Sequence, residues 1–291
     1  MNLLYYLCMF AFTATGTFAN QKYARSIRSY AELFVYAFIT GCVASLFFYA
    51  MSGFCIRLNG ITILYGAVFA FVVICGYFFS LPVYRFMGVA EAGDFSSTIN
   101  LTMSYFFGML IFDENIDIRA IVRFLVMFVC AFLMYLSTKK KLDSENTVTP
   151  KGILLCIGNA MVGVMATVIS KSFAENTRVT DENSFFFITN VFICIFSLLA
   201  VLVINKCNVK KAFKSEGDTN ALKYLMIVVS TVSSNICSLL QIWILAGDAI
   251  NLYVPISGAM GIISSALIAF VFVRERPPLI PIILACAAFF I

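Results

Sequence analysis

The feature that most constrains this chain is a succession of long apolar runs separated by short polar connections. A membrane-spanning helix needs ~20 mostly apolar residues at 1.5 Å each. Ten segments of the 291-residue sequence meet or approach that length. They run roughly over 3–21, 31–53, 61–85, 89–112, 118–138, 151–173, 184–205, 221–246, 250–273 and 277–291. Charged residues are only 12% of the chain against 62% hydrophobic. So few charges cannot cover the surface of a water-soluble fold of this length. The reading is an all-α integral membrane protein of ten transmembrane helices.

The longest polar connections are 139–151 and 205–220. The first falls near the middle of the chain. It separates a first five-helix repeat, 1–138, from a second, 151–291, through a connecting loop over 139–150. An odd number of spans per half turns the second half upside down relative to the first, the plan of many secondary transporters. An offset between the halves sets Asn59 on Asn220, Ser96 on Ser257, Ser104 on Ser265 and Glu114 on Glu275 without a gap. The hydropathy of the two halves corresponds along this alignment, while identities are few. At the N-terminus, the positive charges Lys22, Arg25 and Arg28 follow the first apolar run. A secretory signal has them before it, so the run reads as a retained span. The last segment, PPLIPIILACAAFFI, reaches only ~22 Å as a helix, so the tenth span reads as cut short or, as the alternative, as a short helix that tilts little and thins the bilayer locally.

Composition removes several chemistries. The sequence has no His, so Ser-His-Asp and Cys-His nucleophile systems and His-ligated metals are excluded. The ten Cys form no C-x-x-C pair and nearly all sit in apolar runs. That pattern speaks against zinc and iron–sulfur sites and for reduced packing residues. No cofactor motif is present. No Arg-rich run interleaved with polar residues offers a nucleic-acid surface. The expected partners are the lipid bilayer and a small-molecule substrate, and the oligomeric state is open.

Uncharged polar residues in the spans carry the most functional information. Ser96, Asn100 and Ser104 recur at i, i+4 and i+8 on one face of the fourth segment. Ser230, Ser234, Ser238 and Gln241 stripe the eighth, where Asn235 sits near the middle. Asn159 and Asn190 lie near the middles of the sixth and seventh, and Thr13, Thr15 and Thr17 mark the first. Tyr77 lies deep in the third, where its hydroxyl needs a partner. These residues either line a polar cavity that binds a solute or bond helix to helix. The expected substrate-binding set is Ser96, Asn100, Ser104, Tyr77, Asn159, Asn190, Ser234, Asn235, Ser238 and Gln241. Asp94, about one and a half turns into the fourth segment behind Glu91, is the candidate coupling group, since an intramembrane carboxylate points to function by default. No carboxylate occupies a helix centre, which counts against exchange of protons for cationic drugs. Trp243 and Tyr253 fit interfacial belt positions. Phe at 78, 79, 106, 107, 185, 186 and 187 reads as packing or lipid-facing filler. Gly158, Gly163, Gly258 and Gly261 read as close-packing devices.

Each half ends in a small, apolar helix, an acidic residue and a short final helix: SSTINLTMSYFFGMLIFDENIDIRAIVRFLVMF and ISGAMGIISSALIAFVFVRERPPLIPIILACAAFF. In length, two-fold repeat and the Glu after the fourth helix of each half, the chain resembles the drug/metabolite transporter superfamily, specifically EamA-type ten-helix transporters. That family often has Gly before the Glu, where Asp113 and Arg274 stand here. The resemblance implies a multi-pass protein of a bacterial plasma membrane, with alternating access, export of amino acids, metabolites or drugs, and cytoplasmic termini. Two other classes compete. An intramembrane metal-dependent enzyme would use the oxygen ligands of Asp113, Glu114 and Asp117, but that cluster lacks a convergent base and nucleophile. A non-transporting scaffold has little use for polar stripes in mid-membrane.

Charge sets the orientation. Of the 20 Lys and Arg, fifteen lie in the connections after the first, third, fifth, seventh and ninth spans. The positive-inside rule puts those connections in the cytoplasm, with both termini outside, against the family's implication. A phosphatase reporter fused after Ser144 is expected to be inactive and one fused after Glu114 active. The reverse pattern would invert the orientation.

Overall fold

The structure is a computed structural model that describes residues 3–24, 30–86, 89–113, 118, 121–122, 125–126, 128–130, 132–133, 150–176, 181–204, 221–247, 250–273 and 279–290. Every regular element among these residues is helical. The helices are α1 (Leu3–Ala24), α2 (Tyr30–Met51), α3 (Gly60–Phe86), α4 (Val89–Phe112), α5 (Pro150–Glu175), α6 (Glu182–Ile204), α7 (Ala221–Leu245), α8 (Ile250–Ile268) and α9 (Leu279–Phe290). A π-helical turn, Ala269–Val273, extends α8. The described residues between 118 and 133 are also helical, at the place of the expected fifth span. Helix is the only open-ended structure that satisfies its own backbone in lipid. The boundaries therefore follow the apolar runs.

Seven of these helices, α2 to α8, are long and apolar enough to cross a membrane, so the chain is built as a multi-pass helical membrane protein. Two local signals set the short α2–α3 connection. Asn59 caps α3, its side-chain oxygen accepting the Ile61 N–H at 2.9 Å, a standard N-cap role. At the end of α2 both Gly53 and Phe54 are left-handed, and the Phe54 N–H returns to the Tyr49 carbonyl at 3.0 Å. Asp181 caps α6 in the same way, accepting the Ser184 N–H at 2.8 Å. The Ser184 hydroxyl in turn accepts the Arg57 backbone N–H, which ties the α2–α3 connection to the start of α6.

Helix packing follows a regular exchange. The pair α2–α6 packs most extensively. α1 packs on α7 as α5 packs on α3; α3 on α6 as α7 on α2; α4 on α5 as α8 on α1. The lesser contacts α1–α3 and α5–α7 match as well, and so do α3–α4 and α7–α8. Swapping α1–α4 for α5–α8 thus turns these pairings into one another, and α2–α6 and α4–α8 into themselves. Of the pairings among α1 to α8, α3–α6 is markedly more extensive than its counterpart α2–α7, and α2–α3 has no counterpart of similar extent.

Glycines set the closest crossings. A Cβ on Gly41 of α2 would lie 2.7 Å from Cys194 Sγ and 3.0 Å from the Asn190 carbonyl oxygen of α6. A Cβ on Gly66 of α3 would meet Ile188 at 2.8 Å, and one on Gly158 of α5 would enter the Phe79 ring at 2.5 Å. Lipid tails are as apolar as the side chains, so close van der Waals approach takes over from the hydrophobic effect in holding such helices together.

The apolar core is uneven across the membrane. At the face where α2, α5 and α7 end and α6 begins, Phe48, Phe69, Phe173, Phe185 and Phe186 form one buried cluster with Leu239 and Ile242. Phe173 stacks on Phe185 with centroids 4.2 Å apart, and Phe48 on Phe186 at 4.9 Å. A second cluster, around Tyr6, Met9, Leu245, Ile250 and Tyr253, joins α1, α7 and α8 at the same face. At the opposite face, where α1, α3 and α6 end, the buried apolar clusters are small: Leu33, Tyr36 and Ile227, and Val83, Ala92 and Cys156.

One expected belt residue is corrected. Tyr253 is buried, its hydroxyl 3.9 Å from Met9 Sδ, because the start of α8 packs inside against α1 instead of facing headgroups. Trp243 is 44% exposed and lies beside Tyr5.

The glycine crossings generate a stability prediction. Gly41→Ala forces a side chain into backbone and sulfur atoms and should cost about 1–3 kcal/mol, the usual range for overpacking. Gly60→Ala, where nothing lies within 4 Å, should leave stability unchanged. Thermal unfolding in detergent micelles checks the pair.

Candidate functional site

Polar side chains of the spans gather in two places. The first is a junction of α1, α2, α3 and α7. Tyr36 of α2 donates its phenolic hydroxyl to Asn20 Oδ1 of α1 at 2.9 Å, and its oxygen lies 3.3 Å from Ser230 Oγ of α7. The Ser230 hydroxyl donates to the same Asn20 oxygen. Tyr77 of α3 meets Tyr36 edge to face, with centroids 5.5 Å apart and planes at 88°. Thr40, one turn after Tyr36, lies beside both phenols. Its Oγ1 is buried and makes no hydrogen bond. Leu33, Ile39 and Ile227 complete the walls.

The second place is the seam of α4, α5 and α7. Asn159 of α5 donates its amide to Ser96 Oγ of α4 at 3.3 Å. One turn on, the Asn100 carboxamide lies against Gly163 of α5, whose Cβ position is 3.5 Å from Asn100 Nδ2. Asn100 Oδ1 accepts the Ser104 hydroxyl at 3.3 Å, and Ser104 is buried. Further along α5, the Thr167 hydroxyl accepts the Gln241 amide of α7 at 3.3 Å and donates to the Gly163 carbonyl. Ser97 touches the other side of α4, its Oγ 3.1 Å from the Cβ position of Gly261 on α8.

Of the residues expected from sequence, the structure brings Ser96, Asn100, Ser104, Asn159 and Gln241 onto this second seam and Tyr77 into the first junction. Others turn back on their own helix. The Asn190 amide donates to the Phe186 carbonyl at 2.7 Å, and Asn235 to the Thr231 carbonyl at 2.7 Å. Ser238 Oγ donates to the Ser234 carbonyl. Ser234 itself is exposed, with Oγ 3.7 Å from the Cβ position of Gly16 on α1. Asp94 belongs to α4, but its side chain lies outside the described residues, as does that of Glu91. Asp113 ends α4 with a left-handed backbone; Glu114 and Asp117 lie outside the described residues.

Three contributors are absent from the set expected from sequence. Asn20 sits one turn before the end of α1 and resembles an interfacial residue. Tyr36 and Thr40 stand at i+4 and i+8 from Glu32 on one face of α2, a spacing that could have found them within a run of apolar and aromatic residues. Lys171 is the fourth surprise, a buried lysine on α5. Its ammonium donates to the Leu245 carbonyl at the end of α7 at 3.1 Å and pairs with Glu175 at 3.1 Å. A cation at a helix C-terminus meets the negative end of the dipole and an unspent carbonyl, so this contact fastens the ends of α5 and α7.

No family model matches the chain, and no curated relative matches it. A solved structure described only as "Crystal structure of protein" is similar with a TM-score of 0.66 at 16% identity, covering 99% of this chain and 93% of that one. At that identity the similarity establishes a shared fold along nearly the whole length of both chains.

Proposed function

We propose that this protein is a secondary transporter that moves a small metabolite or drug across the membrane by alternating access. The observation that carries the reading is the contrast between the two ends of the bundle. One face is closed by stacked aromatic rings from both halves, Phe48 and Phe69 against Phe173, Phe185 and Phe186. Toward the other face the apolar clusters that join the halves are small, Leu33 and Tyr36 with Ile227 and Val83 and Ala92 with Cys156, and beside them small polar groups bond across: Asn20 and Tyr36 to Ser230, and Ser96 to Asn159. A bundle that only anchors or scaffolds has no need of polar groups between its halves. A transporter needs a polar site near mid-membrane and ends of unequal closure.

The exchange of pairings between α1–α4 and α5–α8 supports ten spans in two inverted halves, 1–138 and 151–291, joined through 139–150. The pairs α2–α6 and α4–α8, which map onto themselves, are the places about which the halves would rock. This layout agrees with the resemblance to EamA-type transporters, which favours export across a bacterial plasma membrane. The charge bias puts the hydrogen-bonded face in the cytoplasm and the aromatic seal outside. The protein would then receive its solute from the cytoplasmic side.

Counterflow into proteoliposomes, screened over amino acids, nucleosides, sugars and cationic drugs, tests the reading. At least one class should accumulate against its gradient without chemical change. Turnover of any of them, or no accumulation across the panel, would overturn it. For the solute that exchanges, Asn100→Ala should lower the rate about tenfold at unchanged expression. An unpaired amide is disfavoured at that depth, so its seat against Gly163 marks the solute path. Asn235→Ala should lower it less, because the Asn235 amide is already bonded within α7. Equal, wild-type rates in both variants would move the path elsewhere.

A further inference from the structure

The junction of α1, α2, α3 and α7 is not closed as a hydrogen-bonding system. A carboxamide offers two acceptor and two donor positions. The Asn20 oxygen takes both hydroxyls, from Tyr36 and Ser230, which fills its two acceptor positions and leaves its NH2 as the end that can donate to a further group. Thr40 Oγ1, on a residue only 4% exposed, lies beside both phenols but makes no hydrogen bond of normal length and angle among the described residues. It stands ~15 Å along α2 from the helix start, which is mid-membrane. Buried polar groups in native proteins are nearly always bonded, and inside a bilayer an unmet one is costly. Unmet capacity in a buried junction therefore marks where a further group enters.

The chemistry of the junction selects that group. Its polar members, Asn20, Tyr36, Thr40, Tyr77 and Ser230, are all uncharged, and Leu33, Ile39 and Ile227 are apolar. Among the described side chains none of the walls is ionised; Glu32 lies one turn of α2 nearer the membrane surface. An ion brought to this depth would lose its hydration without gaining a counter-charge, which strongly disfavours it. A hydroxyl can both accept from the Asn20 NH2 and donate to or accept from Thr40. The edge-to-face pair Tyr36 and Tyr77 presents ring surface beside them.

We infer that this junction is a binding site for an uncharged, hydroxyl-bearing solute, held by Asn20, Thr40 and Tyr77. The solute enters from the face where α1 ends and α2 begins, since the opposite face carries the aromatic seal. The inference deepens the transporter reading by naming the substrate class of its site.

The test needs no knowledge of the natural solute. Thr40→Cys places a thiol at the centre of the junction. It is treated in detergent micelles with three methanethiosulfonates of similar size: the uncharged 2-hydroxyethyl, the cationic 2-(trimethylammonium)ethyl and the anionic 2-sulfonatoethyl reagents. Adducts are located by peptide fragment mapping, and each rate is divided by that of the native, exposed Cys55 in the same sample. The uncharged reagent should modify position 40 at least about tenfold faster than either ion, the discrimination expected from burying a charge in a membrane span. Equal normalised rates would reveal a hydrated, unselective crevice, and no modification by any reagent would reveal sealed packing. Either result overturns the inference. Asn20→Cys, at the partly exposed edge of the junction, repeats the measurement if the first variant fails to fold. Selective labelling without counterflow of any solute would keep the site and remove the transporter reading. Counterflow with unselective labelling would do the reverse.

Discussion

The bilayer supplies no hydrogen-bond partner for a peptide group, and the rest of this structure depends on that. Each span must satisfy its own backbone, which leaves helices as the only available elements. The same medium removes the hydrophobic drive for one helix to seek another. What remains is close contact, and the structure achieves it where Gly41, Gly66 and Gly158 let a neighbouring helix approach without a side chain between. At Gly41 the approach reaches the Asn190 carbonyl and the Cys194 sulfur. At the α2–α6 crossing an added carbon would therefore meet backbone as well as a side chain.

Contacts of that kind hold helices together without fixing where polar groups go. The polar groups follow a division across the membrane. Aromatic stacking closes one end, with rings from α2, α3, α5 and α6 in one cluster. Lys171 fastens α5 to α7 there through the Leu245 carbonyl. Toward the other end the buried apolar clusters are small, and they are supplemented by hydrogen bonds between small side chains. These are worth about 0.6 kcal/mol each in membrane helices, much less than burial of stacked rings. A bundle closed strongly at one end and weakly at the other is suited to opening at the weak end.

Part of the candidate site is legible in the sequence, and the misses share one cause. The i, i+4, i+8 spacing of Ser96, Asn100 and Ser104 identified a polar face on α4, and that face does meet α5 through Asn159 and Gly163. Mid-span position selected Asn190 and Asn235, whose amides fold back onto their own helices. A spacing pattern gives the face of a helix but not its neighbour. Tyr36 and Thr40 share a face of α2 with Glu32, and Asn20 shares one of α1 with Thr13 and Thr17, but the spacing does not say that these faces meet. They become a group only when α1, α2 and α7 are brought side by side. Tyr253 was misplaced for the same reason: its position near a helix end suggests the interface, but the start of α8 is covered by α1.

By itself, the sequence determined that the chain spans a membrane as helices, and where those helices begin and end. Twenty-residue apolar runs in a chain with 12% charged residues admit no other solution, since every backbone group in lipid must bond within its own segment. It also determined what chemistry is absent, because a chain without His cannot build the catalytic systems that require it. Which polar residues meet was decided only by the tertiary structure. Asn20 and Ser230 are separated by 210 positions, and Tyr36 and Ser230 by 194. No local pattern encodes such a pairing, because it arises from how helix surfaces of nearly uniform hydrophobicity fit together, and that fit is set by the shapes around a few glycines.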